Sequence, residues 1–390
     1  MNGPVSLFLL LLCAFLSGTG QGRDEARRRF PEIRILISKG QYNILTQSKG
    51  QKVTLKQAVM LVNGDTTKVK EIHSRGNNSL KFEHKSLSVD LIDGEDLNGD
   101  GKKVKIKKFD LLNLAMDKNL WHNRWAFLGM SELGIFPLYN IYCTVWVNDQ
   151  PQGIYLLVEK PHHFTEKVKS PYTVRRGPDH SIDAEYVDTP VKEDGKKYRK
   201  QYLGLYENIR KYKEEELYKK LDASLMLDQY FLWLAFNYLI MNGDYADEVF
   251  FYIDSSTRRF DVLPWDYDDI LRPAPHEGFQ ARNAVPNFKE KLVFSSEDML
   301  DRIIATDNYI YQQYQGTFRK LLTTLPTEAL TRLCVQVSDE LRELSADPVI
   351  AKASLFLGKD PFIMDQAAEE IRLGLDFVIK RRNALLTKLE

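Results

Sequence analysis

NGDYADEVFFYIDSSTRRFDVLPWDYDD, at residues 242–269, carries the strongest structural signal in the chain. It contains two β-like runs, Val249 to Ile253 and Phe260 to Leu263, joined by a polar turn from Asp254 to Arg259. A hairpin of this size returns its second strand to the start of the first, so the acids on either side of it are expected to lie close together. Converging carboxylates can hold a divalent ion against phosphate oxygens and orient a hydroxyl. The segment therefore predicts a site for phosphoryl transfer.

The hydrophobic periodicity divides the chain into two parts. From Arg34 to Glu159 short β runs dominate, interrupted by one helix from about Asn119 to Leu133. After Leu221 the pattern is helical apart from the acidic hairpin, and Leu225 to Met241 is apolar enough for a buried core helix. These patterns predict an α+β, bilobal protein-kinase-like fold with a β-rich N-terminal lobe and a mainly helical C-terminal lobe.

The chain has 390 residues, more than one compact core usually holds. We expect a signal peptide over residues 1–22, the β-rich N-lobe over 23–165 and the helical C-lobe over 221–390. Between the lobes, residues 166–220 are charged and lack a period, which favours an insertion or linker without chemistry of its own.

The signal peptide is predicted from the apolar run Val5 to Phe15, which small residues and then charged residues follow. The run is too short to span a bilayer, and we place cleavage near Gly20 or Gly22. An uncleaved anchor is the alternative. The C-terminal residues TKLE are not a KDEL-type retention signal. We therefore expect a secreted protein, or one in a secretory lumen, with no membrane span after cleavage.

Composition excludes several classes of partner and site. The 54 basic residues balance the 54 acidic ones, so nothing favours nucleic acid as a partner. Beyond the leader, Cys143 and Cys334 form either one disulfide or two buried small hydrophobes.

The stretch DLNGDGKKVKIK, at 96–107, begins like an EF-hand loop but has Lys107 at its twelfth position and β runs on both sides. It favours a polar hairpin loop, with a calcium site in a structural protein as the weaker alternative.

Five segments together resemble the CotH family of atypical, secreted or surface-associated kinases. They are RGNNSLKFEHKSLSVDL from Arg75, DKNLWHNRWAFLGMSELGI from Asp117, VWVNDQPQGIYLLVEK from Val145, LDQYFLWLAFNYLIMNGDYADEVFFYID from Leu227 and DVLPWDYDDIL from Asp261. The resemblance covers about residues 70–271. It implies binding of ATP and of Mg²⁺ or Mn²⁺, with transfer of phosphate to Ser or Thr of a secreted or surface protein substrate.

In the N-lobe, the resemblance implies a nucleotide-phosphate turn in RGNNSL, although taken alone these residues are only a turn between strands. The residues carried over are Arg75, Gly76, Asn78 and Ser79. Lys85 matches the lysine that pairs with phosphates, and the alternative is a solvated surface lysine. Glu132 is a weaker candidate to pair with Lys85. Glu159, at the passage between lobes, is expected either to bind ribose or to cap its strand.

In the C-lobe, the resemblance makes Asp244 the residue that orients or deprotonates the acceptor hydroxyl. Asp266 matches the principal metal ligand, and Asp268 is expected on the same face of an extended chain. Glu248 replaces an Asn that commonly serves as a metal ligand in the family, and Glu is also a hard oxygen ligand. This departure keeps open an alternative, a catalytically inactive kinase-like surface or coat protein acting in adhesion or binding.

Overall fold

The computed structural model describes residues 29–97, 105–177, 181–276 and 290–389. The first part of the chain is built on eight strands: β1 Glu32–Leu36, β2 Val59–Val62, β3 Asp65–Thr67, β4 Val69–Ser74, β5 Leu87–Asp96, β6 Lys105–Leu112, β7 Asn140–Val147 and β8 Gln150–Glu159. They form one sheet in the order β3-β2-β1-β7-β8-β6-β5-β4. Neighbours are antiparallel except β1 and β7, which are parallel. The β-rich N-lobe predicted from the sequence is confirmed.

Strand β8 is the centre of this lobe. It pairs with β7 on one side and β6 on the other, and residues 152–159 are all buried. Two helices, α1 Lys39–Gln47 and α2 His122–Glu132, accompany the sheet. Helix α2 is mostly buried and ends at Glu132, two residues before Gly134, whose φ of 73° suits glycine. With the short 3₁₀ turn Lys118–Leu120 before it, α2 confirms the predicted N-lobe helix.

The second part of the chain is mainly helical, as predicted. Its helices are α3 Pro161–Lys167, α4 Lys192–Lys211, α5 Glu214–Asp222, α6 Leu227–Ile240, α7 Met299–Thr306, α8 Asn308–Thr324, α9 Thr327–Ser345, α10 Pro348–Ala353 and α11 Met364–Leu389. Helix α6 is buried around most of its circumference, which confirms the predicted core helix. Short strands β13 Leu355–Phe356 and β14 Asp360–Pro361 precede α11.

The acidic hairpin predicted from residues 242–269 is present as β11 Val249–Ile253 and β12 Phe260–Pro264. Its register runs from Val249 opposite Pro264 to Ile253 opposite Phe260. At the turn, Asp254 Oδ1 accepts hydrogen bonds from the backbone N–H groups of Ser256 and Thr257, at 3.1 and 2.7 Å. This local pairing of a turn aspartate with its own backbone explains why the hairpin reverses there.

The structure corrects the interpretation of residues 166–220 as an insertion or linker. Two strands, β9 Thr173–Arg176 and β10 Ile182–Asp188, join the acidic hairpin in a four-stranded sheet of order β10-β9-β11-β12. The hairpin is therefore not the lone β element of its half. Strand β9 has four residues, too short for a visible period among charged neighbours, and its pairing partner β11 lies far along the chain.

Other predictions concern the ends of the chain and its thiols. Residues 1–22, the predicted signal peptide, lie outside the described residues, as do 98–104 of the EF-hand-like stretch. Within the described ranges, no helix has the length and apolar character needed to cross a membrane. Cys143 and Cys334 are both buried and free, so the alternative of two small hydrophobes is confirmed over a disulfide.

A buried ion pair joins the two parts of the molecule. Arg124 of α2 donates from Nε and Nη2 to the two carboxylate oxygens of Glu340 in α9, both at 2.9 Å. The same two helices also carry an exposed pair, Arg332 with Glu132, at 3.0 Å. The Arg124 and Glu340 side chains are only 7% and 3% exposed, against 54% and 40% for Arg332 and Glu132. A buried charge that loses its partner costs much more than an exposed one.

We expect Arg124→Gln to lower the free energy of unfolding by about 3–5 kcal/mol, because it leaves the Glu340 carboxylate buried without its guanidinium. Arg332→Gln is the matched control in the same helix pair, with an expected loss of about 0–1 kcal/mol. Urea unfolding followed by circular dichroism measures both. Equal losses in the two variants would show that the buried pair does not hold the helices together.

Candidate active site

A cavity of about 890 Å³ lies between the eight-stranded sheet and the four-stranded sheet. The N-lobe side is formed by the turn after β4, by side chains of β5 and β6, and by the segment before α2. The other side is formed by β9, β10 and the residues before and after the acidic hairpin. The predicted residues that line it are Arg75, Gly76, Asn78, Ser79, Asp244, Glu248, Asp266 and Asp268. Two other predicted residues, Lys85 and Glu159, do not line it.

The turn at residues 75–79 is held in a conformation that requires glycine. Gly76 has a φ of +94°, and a Cβ there would lie 2.0 Å from the Ser79 hydroxyl oxygen. That hydroxyl donates to the carbonyl of Arg75 at 3.2 Å. A 3₁₀ turn, Asn78–Lys81, follows. Residues 75–79 therefore form a tight turn at the cavity wall, and turns of this kind can present backbone donors to an anion.

Arg75 links this turn to the acidic hairpin. Its Nε lies 3.2 Å from Asp110 Oδ2, and its guanidinium lies over the ring of Trp265, 5.6 Å from the centroid. Asp110 is buried and also accepts from the Ser88 hydroxyl at 2.7 Å. Because Trp265 directly precedes Asp266, Arg75 places one positive charge beside the acids of the other lobe.

Lys85 has a different place from the one predicted. Its side chain is buried, and Nζ donates to the carbonyls of Leu80 at 2.7 Å and of Phe82. Burial, and next the nearby Lys49, lower the pKa of Lys85. The ammonium thus fastens the chain just after the turn, and the carbonyls it meets are not visible as a pattern in the sequence.

Glu159 is also occupied by neighbours in the structure. Its Oε1 accepts from His163 at 2.7 Å and from Lys167 at 2.8 Å, and its Oε2 accepts from the backbone N–H of Tyr139 at 3.3 Å. Burial opposes ionisation, but these hydrogen bonds outweigh it and lower the pKa of Glu159. The arrangement matches the alternative of a strand cap, joining β8 to α3. Glu132 contacts Arg332 and not Lys85.

Asp244 lies in a loop whose shape the sequence NGD determines. Helix α6 ends at Ile240, and the next residue, Met241, lies in the left-handed region with a φ of 52°. The Asn242 amide oxygen accepts from the N–H of Asp244 at 3.2 Å. Gly243 donates from N to the carbonyl of Asp269 at 2.8 Å, and a Cβ there would lie 2.4 Å from Asp269 Oδ2. The loop before the hairpin is therefore joined directly to the acids after it. Asp244 itself is half-exposed at the cavity.

Asp266 and Asp268 both line the cavity, but not because the chain is extended. Asp266 has a φ of 48°, in the left-handed region, and the next residue, Tyr267, turns into the core. Tyr267 donates from N to the Asn123 amide oxygen at 2.8 Å, and its hydroxyl accepts from the Trp233 indole at 3.1 Å. Burial of this ring between the lobes leaves the aspartates on either side of it at the cavity.

Glu248 is paired with an arginine that the sequence analysis did not single out. Glu248 Oε2 lies 2.6 Å from Nη2 of Arg175 in β9. Arg175 Nε also donates to the carbonyl of Asp247 at 3.1 Å, and its guanidinium lies 5.3 Å from the ring centroid of Tyr186 in β10. A signal was present in YTVRRG, where two arginines end a short β-like run, but it lies within the charged stretch interpreted as a linker.

Burial and neighbouring acids raise the pKa values of Glu248, Asp266 and Asp268. Burial, and next the charge of Asp266, raise the pKa of Glu248 well above its usual range, although Arg175 opposes the rise. The pKa of Asp268 is raised well above its usual range by the same two causes. Burial also raises the pKa of Asp266, while Arg75 and Arg175 act against it. Negative charge therefore exceeds positive charge at this place, and a divalent cation would relieve the imbalance.

The donor set fits a cation that arrives with phosphate. Among the residues that the structure describes, no three His, Cys, Asp or Glu side chains converge closely enough to hold a metal ion by themselves. Mg²⁺ commonly takes only one or two carboxylates and completes its shell with water and substrate phosphates. Asp266 and Asp268 would supply such carboxylates, opposite the turn at Arg75 to Ser79.

A β-rich lobe and a helical lobe that enclose an acid-lined cavity form the architecture of a kinase-like protein. The family model described as CotH kinase protein matches residues 72–385. The chain therefore belongs to the CotH kinase family, and the resemblance seen in the sequence is confirmed.

Two further comparisons give no assignment beyond the family. The comparison with curated proteins finds no match. Among solved structures, a chain of the Shewanella oneidensis MR-1 toxin–antitoxin complex of HipA, HipB and operator DNA aligns with a TM-score of 0.29 and 11% identity. The alignment covers 97% of this chain and 71% of that one. At that score and identity the two chains share too little to support an inference about this one.

We expect Lys85→Met to reduce the free energy of unfolding by about 1–3 kcal/mol, because the carbonyls of Leu80 and Phe82 lose a buried donor. Lys81→Met is the control, since Lys81 is exposed in the same turn and, among the described residues, its ammonium donates to Asn78 alone, at 2.9 Å. Its expected effect is within about 0.5 kcal/mol. Urea unfolding without nucleotide measures both. A Lys85→Met protein of unchanged stability that had lost ATP binding would restore the phosphate-binding role.

Proposed function

We propose that this protein is a secreted kinase that transfers the γ-phosphate of ATP to a Ser or Thr hydroxyl of a secreted or surface protein, with Mg²⁺ or Mn²⁺. One observation carries the proposal: the turn at residues 75–79 and the carboxylates of Asp244, Asp266 and Asp268 line the same cavity. Membership of the CotH kinase family supports the kinase assignment. The apolar leader run supports secretion.

Each wall of the cavity has a separate task in this proposal. The turn contributes Arg75, Gly76, Asn78 and Ser79, whose backbone and side chains face the phosphates of ATP. Asp266 and Asp268 would hold the divalent cation, which would supply positive charge to balance the phosphate oxygens. Lys85 acts indirectly, because its ammonium holds the end of the turn by hydrogen bonds to the carbonyls of Leu80 and Phe82.

Asp244 is assigned to the acceptor hydroxyl. Its carboxylate is half-exposed, so it is open to a substrate side chain, and it stands in a loop fixed by the bond from Gly243 to Asp269. The carboxylate orients the hydroxyl and accepts its proton while the hydroxyl oxygen bonds to the γ-phosphorus and the bond to ADP breaks. The products are the phosphorylated protein, ADP and protonated Asp244.

A second candidate function is binding without transfer, in a kinase-like surface or coat protein. The observation that favours it is the ion pair of Glu248 with Arg175, which occupies a carboxylate at the position where the family commonly has a metal-binding Asn. Such a protein would bind nucleotide weakly or not at all. The two functions differ in whether labelled phosphate reaches protein.

The test is incubation of the purified protein with labelled ATP and Mg²⁺ or Mn²⁺, alone and with a mixture of secreted proteins. We expect Asp266→Asn to reduce incorporation at least 100-fold, an order of magnitude typical for a lost charge-stabilising group. Asp254→Asn is the control, because Asp254 lies at the far turn of the same hairpin and bonds only that turn. Undiminished incorporation by Asp266→Asn would contradict the site. A finding of neither nucleotide binding nor incorporation with the unsubstituted protein would favour the second function.

The pH dependence of transfer gives a separate prediction. Partial burial, and next the like charge of Asp247, raise the pKa of Asp244 to about 6, while His276 opposes the rise. Only the ionised carboxylate accepts a proton, so kcat/KM should rise with pH through about 6 and level off above it. We expect Asp247→Asn to shift this limb to lower pH and His276→Ala to shift it to higher pH. Two variants that moved the limb in the same direction would exclude Asp244 as the titrating base.

A further inference from the structure

Arg175 is held in the cavity by contacts to two consecutive residues of the loop before the hairpin. Nη2 lies 2.6 Å from Glu248 Oε2, and Nε donates to the carbonyl of Asp247 at 3.1 Å. The guanidinium also lies over the ring of Tyr186. Its side chain is 16% exposed and that of Glu248 is 17% exposed, so water screens their attraction little. A guanidinium fixed at three points is a permanent charge of the site and not a passing surface contact.

The pairing of β9 with β11 fixes the backbone from which the Arg175 side chain extends. Arg175 stands opposite Phe250 in the antiparallel pair of β9 with β11, two residues beyond Glu248. The next residue, Arg176, is fully buried and donates from Nε to the carbonyl of Ala246. Consecutive arginines therefore hold consecutive carbonyls of the loop that runs from Asp244 to Glu248. A metal ion that recruited Glu248 would have to break the Arg175 ion pair within this frame.

The carboxylates of the cavity differ in whether a cationic side chain is paired with them. Glu248 has a cation at ion-pair distance, whereas no cationic side chain forms a salt bridge with the carboxylate of Asp266 or Asp268 among the described residues. Asp266 and Asp268 are therefore the carboxylates whose charge is left for a ligand to balance. A doubly charged cation beside these two would make that part of the site neutral.

We propose that Arg175 is the resident counter-cation of the cavity: it neutralises Glu248, so that Glu248 stays outside the coordination shell and Asp266 and Asp268 are the protein ligands of the divalent cation. This inference rests on the proposed use of a divalent cation with ATP. Under this proposal, Arg175 limits the number of carboxylates that coordinate the cation. Glu248 is then no longer among the predicted metal ligands.

A double-variant cycle with Mn²⁺ as the probe tests the assignment. Mn²⁺ binding to the full chain is measured by electron paramagnetic resonance, once alone and once with a non-hydrolysable ATP analogue. Glu248→Gln leaves Arg175 uncompensated and should weaken Mn²⁺ binding about tenfold, and Arg175→Gln frees the Glu248 charge and should strengthen it about tenfold. The double variant has the same net charge as the unsubstituted site, so its affinity should return to within about threefold.

The double variant separates the two roles of Glu248. If Glu248 were a metal ligand, deleting Arg175 would restore the charge but not the lost ligand, so the double variant would still bind Mn²⁺ at least about tenfold more weakly than the unsubstituted site, and that result would overturn the proposal. So would an unchanged affinity in Arg175→Gln, or an absence of saturable Mn²⁺ binding in every variant. The exposed pair Glu369 with Arg372 on α11, at 2.7 Å, is the matched control. Glu369→Gln and Arg372→Gln should change Mn²⁺ affinity less than twofold, because water and salt screen that pair.

Folding and the proposed function are controlled separately. Circular dichroism verifies that each variant is folded. If the glutamine variants are not, Arg175→Met with Glu248→Met repeats the cycle's decisive step, because apolar replacement of both members of a buried pair is commonly tolerated. If the ATP analogue fails to bind while Mn²⁺ follows the expected series, the proposed kinase function is wrong and the assignment of Arg175 stands.

Discussion

The hydrogen bond from Trp265 N to the carbonyl of Glu248, 3.0 Å long, is the contact on which the site depends. It extends the ladder of β11 and β12 one step beyond the pair of Val249 with Pro264. The chain leaving the hairpin is thereby held beside the chain entering it. With the bond from Gly243 to Asp269, it fixes two loops of opposite direction to one another. Carboxylates that are distant in sequence become neighbours through backbone geometry alone.

Bringing these carboxylates together has an electrostatic cost, and two nearby arginines offset part of it. Burial raises the pKa values of Asp266, Asp268 and Glu248, and the charge of Asp266 raises those of the other two further. Arg75 approaches from the N-lobe and Arg175 from β9. Each arginine is paired with an acid of its own and balances only part of the charge of Asp266. The site therefore favours a cationic ligand, and the arginines limit where that ligand can sit.

The sequence allowed the β-rich lobe, the buried helix α2, the core helix α6 and the acidic hairpin to be predicted, because each has a local period or turn signal. It did not reveal β9 and β10, since their order comes from pairing with β11 and not from their own pattern. For the same reason Arg175 was missed. Lys85 was placed at the phosphates because its position in the motif matched, but the direction of a long side chain depends on carbonyls that only the fold brings near.

The differences that remain, at Glu159 and at Tyr267, have separate causes. Glu159 has its partners, His163 and Lys167, in the next helix, four and eight residues on. That local spacing could have predicted the strand cap over ribose binding. The ring of Tyr267, by contrast, is buried against residues of α2 and α6, and no spacing within DYDD could show that the chain turns there. The same burial sets the left-handed backbone of Asp266.

The two arginines that end β9 also favour one register of this strand against β11. Neighbouring residues of a strand face opposite sides, so Arg175 meets the cavity while Arg176 lies in the core near Asp298 and Asp301, at 3.3 and 3.6 Å. A slip of one residue would exchange the two sides and carry a guanidinium away from its acids on each. Charge matching on both faces therefore favours the observed alignment, in addition to the burial of Val174 in the core.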